Sequence, residues 1–178
     1  MRIFTKRGER VKVPEGLREE TFSSVFGVGS VATVGDLPFR VVLPSVKLRP
    51  RERTASPSRW AALLERYFAG EAVGFGLDLE RYAELAGLTP FERDVYAALG
   101  AVPRGSVISY GELAAVAGHP GAARAVGSVM ARNELPVILP CHRVVRSDGS
   151  LGLYGDDPQW KHRLLALEGF DRGWGRNA

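Results

Sequence analysis

Three helix-start signals fall in quick succession between Thr89 and Arg132, and no other feature limits the fold as much. Thr89-Pro90-Phe91-Glu92 joins an N-cap residue, a proline at the first helical position and a capping-box glutamate, opening a helix with Phe91, Val95 and Leu99 inward. Ser109 and Glu112 repeat the box ahead of a short helix that ends at Gly118. A third helix follows Pro120 and runs to about Arg132. Helices joined by turns this tight must pack on one another, which is the organisation of a helix-turn-helix module.

The third helix has two dissimilar faces. At about 100° per residue, Ala122, Val126, Val129 and Met130 gather on one side, and Arg124, Gly127, Ser128 and Ala131 on the other. Small side chains let a helix backbone approach a surface, and a single arginine rising from that floor can enter a groove. The same pattern also suits a tight helix-helix contact with Arg124 in solvent.

The first half is mixed α and β. Val31 to Pro44 holds two β-rich runs around Gly35-Asp36, a hairpin in which Pro38 suits an edge strand. Beyond the basic, Ser/Pro-containing stretch from Lys47 to Ser58, Trp60, Leu63, Leu64, Tyr67 and Phe68 form one stripe of a helix that Gly70 ends.

Composition narrows the function classes. A chain of 178 residues that is 45% hydrophobic can bury one core or two small ones. No apolar run approaches the roughly eighteen residues of a membrane span. The start, MRIFTKRGER, lacks the apolar segment of a secretory signal. A cytoplasmic protein is expected, nuclear if the source is eukaryotic, with no membrane partner. One cysteine excludes an internal disulfide and a multi-thiolate zinc site, and three histidines leave few metal ligands, so no metal is expected. The net charge of +4, with an isoelectric point near 9.5, is compatible with a polyanionic partner.

The chemistry concentrates in Asn133-Glu134-Leu135-Pro136-Val137-Ile138-Leu139-Pro140-Cys141-His142-Arg143-Val144-Val145. Val137 to Leu139 is expected as a short buried strand, ended by Pro140, which presents Cys141 at its tip. Neighbouring residues of a straight strand face opposite ways, so Cys141 and His142 meet only through a bend or a bridging water. A lone buried cysteine is ordinarily an inert small hydrophobe. An adjacent imidazole and arginine change that, because each favours the thiolate of a group whose free pKa is about 8.5.

With SYGELA, ARAVG, Asn133, PCHRVV and the closing Leu167-Glu168-Gly169 at compatible spacing, the chain from about Tyr67 to Gly169 resembles the O6-alkylguanine-DNA alkyltransferase family. The resemblance implies an α/β fold in two parts. Residues 1–87 would be a small ribonuclease-H-like domain with its linker, and 88–178 an α-rich domain carrying a winged-helix-like helix-turn-helix and the transfer site. It implies a monomer that everts O6-alkylguanine, and O4-alkylthymine as a second substrate, from double-stranded DNA and takes the alkyl group onto Cys141 without a cofactor. His142 would be the base, acting through a water; Glu168 would orient the imidazole, and Tyr110 would press on the flanking phosphate and protonate the departing guanine. Arg124 would fill the vacated stack, with Ala123 and Gly127 against the DNA. Asn133 would be a structural hinge, holding the helical module and the cysteine loop in register. Met130, Val144, Tyr154 and Gly155 would line the base pocket, the carbonyls of Cys141 and Val144 accepting the guanine amino group.

Asp157-Pro158 should open a final helix, and Leu164, Leu165 and Glu168 share a face of it. Gly155-Asp156-Asp157-Pro158 departs from the family pattern, which has small residues and glycines there; two carboxylates near DNA repel phosphate unless they turn away or cap the helix. Two other functions remain compatible with the motifs: a lesion sensor that binds without reacting, which Cys141 argues against, and a helix-turn-helix transcription regulator.

Overall fold

The structure, a computed structural model, describes residues 2–4, 10–12, 14–50, 57–152, 154, 157 and 159–170. The fold is mixed α and β. Two compact units make it up: Met1–Thr89 with Arg132–Ile138, and Pro90–Ala131 with Leu139–Ala178. This division differs from the expected 1–87 and 88–178 partition mainly in the segment Arg132–Ile138. No helix among the described residues is long and apolar enough to cross a membrane.

In the first unit β1 (Arg2–Phe4) pairs antiparallel with β2 (Arg10–Lys12). A separate antiparallel sheet follows, β3 (Leu17–Ser24), β4 (Gly27–Val34) and β5 (Leu37–Ser45), side by side in that order. The expected hairpin is present: Gly35-Asp36 joins β4 to β5, with Gly35 at φ 59°, and Pro38 lies in the edge strand opposite Thr33. Central β4 is buried from Ser30 to Thr33.

β3 was not anticipated, because its acidic residues interrupt any alternation. Those carboxylates are structural. Glu20 accepts a hydrogen bond from Ser58 N (2.7 Å), and in return Glu65, from the helix that follows, accepts one from Ser23 N (3.1 Å). They clasp β3 to α1 (Arg59–Phe68), which Ser58 caps. Trp60, Leu64, Tyr67 and Phe68 of α1 are buried, each contributing about 1.5–3 kcal/mol of transfer free energy, and Phe22 stacks on Phe68 at 5.6 Å. α2 (Leu79–Ala86) was likewise missed, although Asp78 caps its start and Gly87, at φ 64°, its end. Arg81 of α2 forks onto Asp36 at 2.8 and 2.9 Å, and Trp60 Nε1 donates to the Asp36 carbonyl, so both helices are tied to the β4–β5 turn. Val41 N of β5 donates to the Glu134 carbonyl (2.8 Å), which places Arg132–Ile138 in this unit.

The second unit contains α3 (Pro90–Gly100), β6 (Ile108–Ser109), α4 (Tyr110–Val116), α5 (Ala123–Ala131), a 3-10 turn at Cys141–Arg143, β7 (Val144–Val145) and α6 (Gln159–Leu167). The three anticipated helices are therefore present. Ser109 and Glu112 form the reciprocal capping box, with bonds of 3.2 and 2.8 Å. Val126, Val129 and Met130 of α5 are buried, while Arg124 and Ser128 are exposed.

The strand expected over Val137 to Leu139 is not there. Val137 has φ 78°, a left-handed conformation that a β-branched residue rarely adopts and that cannot continue a pleat. A turn at Val137-Ile138 separates isolated bridges at Pro136 and Leu139. The run is apolar because it is buried, and a short apolar run does not distinguish strand from buried turn. Cys141 accordingly opens a 3-10 turn rather than ending a strand.

Candidate active site

Cys141 is set by local backbone bonds. Cys141 N donates to the Leu139 carbonyl (2.8 Å), Arg143 N to that of Pro140 (2.9 Å), and Val144 N to that of Cys141. Cys141 is 7% exposed, and its thiol donates to the Tyr154 hydroxyl at 3.6 Å. Because the chain turns here, Cys141 and His142 are not bound to opposite faces of a pleat.

His142 is fully buried, and its Nε2 lies 2.9 Å from Glu168 Oε1. Arg143 closes on the same carboxylate with two bonds, Nε to Oε2 (2.9 Å) and Nη2 to Oε1 (2.8 Å), and Nη1 donates to the Val102 carbonyl (2.6 Å). Gly105 N adds a fourth bond, to Oε2 at 3.2 Å. A β-carbon at Gly105 would lie 3.0 Å from the Glu168 carbonyl, and its φ of 72° also favours glycine. Burial pushes His142 below the ordinary histidine pKa, with Arg143 and Lys161 reinforcing it; Glu168 pulls the other way but its charge is already matched by Arg143. Burial thereby favours the neutral imidazole, which has a carboxylate against its Nε2.

Tyr110 is the first residue of α4. It is placed by β6, whose parallel pairing sets Ile108 against Val144 and Ser109 against Val145, immediately beyond the cysteine turn. Burial chiefly, then charge on Cys141, raises the Tyr110 pKa above its usual value, so the hydroxyl stays protonated as a donor. A β-carbon at Gly127 would lie 4.0 Å from the Tyr110 ring, placing the small face of α5 beside it.

Lys161 was not singled out from the sequence. It is 1% exposed, its ammonium donating to the carbonyls of Val144 and Leu151 (2.5 Å to the latter) and lying 5.9 Å from the centre of the Tyr110 ring. Burial pulls its pKa down to about 8, and charge on Cys141 works against that shift. The helical spacing that put Leu164, Leu165 and Glu168 inward extends back to Lys161 and could have found it. Arg143 was named in the sequence only as a neighbour; its grip on Glu168 needed coordinates.

The other expected residues are placed as follows. Arg124 is exposed and Ala123 half-buried at the start of α5; Met130 and Val144 are buried. Asn133 is fully buried in the first unit, and its side-chain oxygen accepts from Leu135 N (2.9 Å). Gly155, Asp156 and Pro158 lie outside the described residues. Asp157 turns its carboxylate to the start of α6, accepting from Gln159 N (2.9 Å) and meeting Arg163 at 3.3 Å. Among the described residues no three His, Cys, Asp or Glu side chains gather as metal ligands.

Residues 90–170 match the family model described as 6-O-methylguanine DNA methyltransferase, DNA binding domain. The methylated-DNA–protein-cysteine methyltransferase of Salmonella typhimurium is 40% identical over 120 residues, 67% of this chain and 68% of the relative. That of Mycobacterium tuberculosis is 41% identical over 133 residues, 68% of this chain and 78% of the relative. This chain belongs to the methylated-DNA–protein-cysteine methyltransferase family. A methyltransferase crystal structure from M. tuberculosis superposes with a TM-score of 0.64 at 33% identity, covering 85% of this chain and 92% of that one. A second, from the archaeon Pyrococcus kodakaraensis, gives 0.60 at 28% identity, covering 86% and 99%. Within this methyltransferase the residues gathered around Cys141 all fall in the segment that the family model matches; Asn133 lies in the same segment of sequence but packs in the first unit.

Proposed function

We propose that this protein repairs DNA by direct reversal, everting an O6-alkylated guanine from the duplex and transferring its alkyl group irreversibly to Cys141. One observation carries the reading: the only thiol of the chain lies beside a tyrosine hydroxyl and next to a buried imidazole whose carboxylate partner is held by an arginine.

Displacement at a saturated carbon needs a thiolate in line with the carbon–oxygen bond and a proton for the leaving purine. The thiol proton passes to His142 through a water. The sulfur–alkyl bond forms as the bond to O6 breaks, and Tyr110 protonates the departing guanine. The proton held on His142 then restores Tyr110, so the step balances without a co-reactant. A thioether resists hydrolysis, and each chain therefore acts once. Glu168 orients the imidazole.

Extrusion of the base costs a few kcal/mol, which is offset by filling the gap and packing the base. Arg124 enters the stack, while Ala123 and Gly127 let α5 approach the DNA. Met130, Val144 and Tyr154 line the pocket; the Cys141 and Val144 carbonyls accept the guanine amino group, and the Tyr154 ring walls it. Asn133 is the hinge that fixes the backbone ahead of the cysteine turn. The helical part works as a winged-helix-like helix-turn-helix module, and the N-terminal part, over residues 1–87, as a ribonuclease-H-like domain. The protein acts as a monomer where DNA is housed, the cytoplasm or a nucleus, and takes O4-alkylthymine as a second substrate.

Incubation with duplex carrying O6-methylguanine, followed by intact-mass measurement, should show one added methylene on the wild type. Cys141→Ala should gain none yet still bind the duplex. Tight binding with no mass gain by the wild type would mean a sensor instead.

A further inference from the structure

Arg146 follows β7 directly and opens a tight loop. Its amide donates to the Ser150 carbonyl (2.9 Å) and its carbonyl accepts from Gly149 N (2.9 Å), so its backbone forms the base of that loop. Asp148, within the loop, turns its carboxylate to Ser150 N at 2.8 Å. The Arg146 side chain is exposed. A β-carbon built on Gly152 would meet Arg146 Nε at 3.5 Å, Arg146 Cγ at 3.8 Å and the Tyr110 hydroxyl at 4.0 Å. One small patch of surface at Gly152 is therefore shared by the arginine stem and the hydroxyl of the proton donor.

The guanidinium charge is felt inside the site. It draws the Tyr110 pKa down against the effect of burial, and it adds to the lowering at Lys161. Among the described residues no carboxylate lies within ion-pair distance of Arg146, whereas Arg66, Arg81, Arg143 and Arg163 each have one. Asp148 feels the Arg146 charge but spends its carboxylate on Ser150 N, so an arginine with a fixed backbone, a stem beside a glycine and no carboxylate within ion-pair distance among the described residues is open to an oxoanion from outside the chain. The oxoanion that repair brings to this mouth is a DNA phosphate.

Building on the repair reading, we infer that Arg146 grips the phosphate flanking the everted nucleotide, alongside Tyr110, as a backbone contact separate from the α5 face. Such a contact carries no sequence information and fixes the rotated strand while the base is in the pocket. Arg146 is thus a DNA-positioning residue.

Two measurements test this on the full chain. The first is affinity for an unmodified duplex across a salt series, for wild type, Arg146→Ala and Arg146→Lys. Losing one phosphate contact should lower the slope of log affinity against log salt by about 0.9 in Arg146→Ala, while Arg146→Lys, which keeps stem and charge, should retain the slope. The second is the transfer rate from methylated duplex against that from free O6-methylguanine. Arg146→Ala should slow the duplex reaction about tenfold and leave the free-base reaction within about twofold, a loss equivalent to one good contact. An unchanged salt slope, or equal slowing on duplex and free base, overturns the assignment. Wild type that never gains a methyl would instead sink the repair reading, which the salt slope does not address.

Discussion

Glu168 serves His142, Arg143 and Gly105 N together, and the imidazole's protonation follows from that sharing. A carboxylate facing histidine alone would favour the imidazolium; one already neutralised by a forked arginine does so far less, and burial then decides. The consequence for stability has a definite sign. Below pH 6.5 the unfolded chain protonates this histidine and the folded chain does not, so the unfolded state binds the extra proton and stability falls as pH falls. The loss from this group grows as pH falls below 6.5 toward the depressed folded value. Urea unfolding of wild type and His142→Gln at pH 7.5 and 5.5 isolates it from the carboxylates. The wild type should lose about 1 kcal/mol more than the variant on acidification; equal losses would show that His142 is charged in the folded protein.

Two rungs of parallel ladder, Ile108 with Val144 and Ser109 with Val145, carry the alignment between Tyr110 and the cysteine turn. Ser109 works twice here, as a ladder residue and as the cap of α4, where Tyr110 is the first helical residue. Ser109→Ala should cost about 1 kcal/mol in urea unfolding through the lost cap and should slow methyl transfer, because the helix start that aims Tyr110 loosens. Unaltered transfer with reduced stability would detach the cap from the chemistry. Such caps were legible in the sequence because they are local: serine, three residues, glutamate. The turn at Val137 was not, since its left-handed backbone is imposed by tertiary packing on a residue that prefers the pleat. Lys161 was obscured for a related reason. Helical spacing puts a lysine at this inward position, but what holds its ammonium there, the carbonyls of Val144 and Leu151, lies in separate stretches of chain.

At the scale of the whole molecule, the identities around the sulfur could be read from residue order, whereas their mutual bonds could not, because His142, Arg143, Val102, Gly105 and Glu168 converge from separate stretches of chain. The first unit was legible at its hairpin and α1 and dark at β3, whose glutamates look solvent-facing until Ser58 and Ser30 are found beside them. A thioether product makes the protein a reagent. Titrated with duplex carrying labelled O6-methylguanine, it should accept one label per chain and then stop, and any excess of label over protein would require a route that frees the sulfur.

The β6–β7 ladder has a bearing on how such a protein can change. Tyr110 and Cys141 are registered upstream of Arg146, and His142 and Glu168 meet just past α6, so the loop from Ser147 to Ser150 is left out of both alignments. That short loop can be lengthened, shortened or recharged as an exchangeable cassette while the registry of the reacting groups stays as it is.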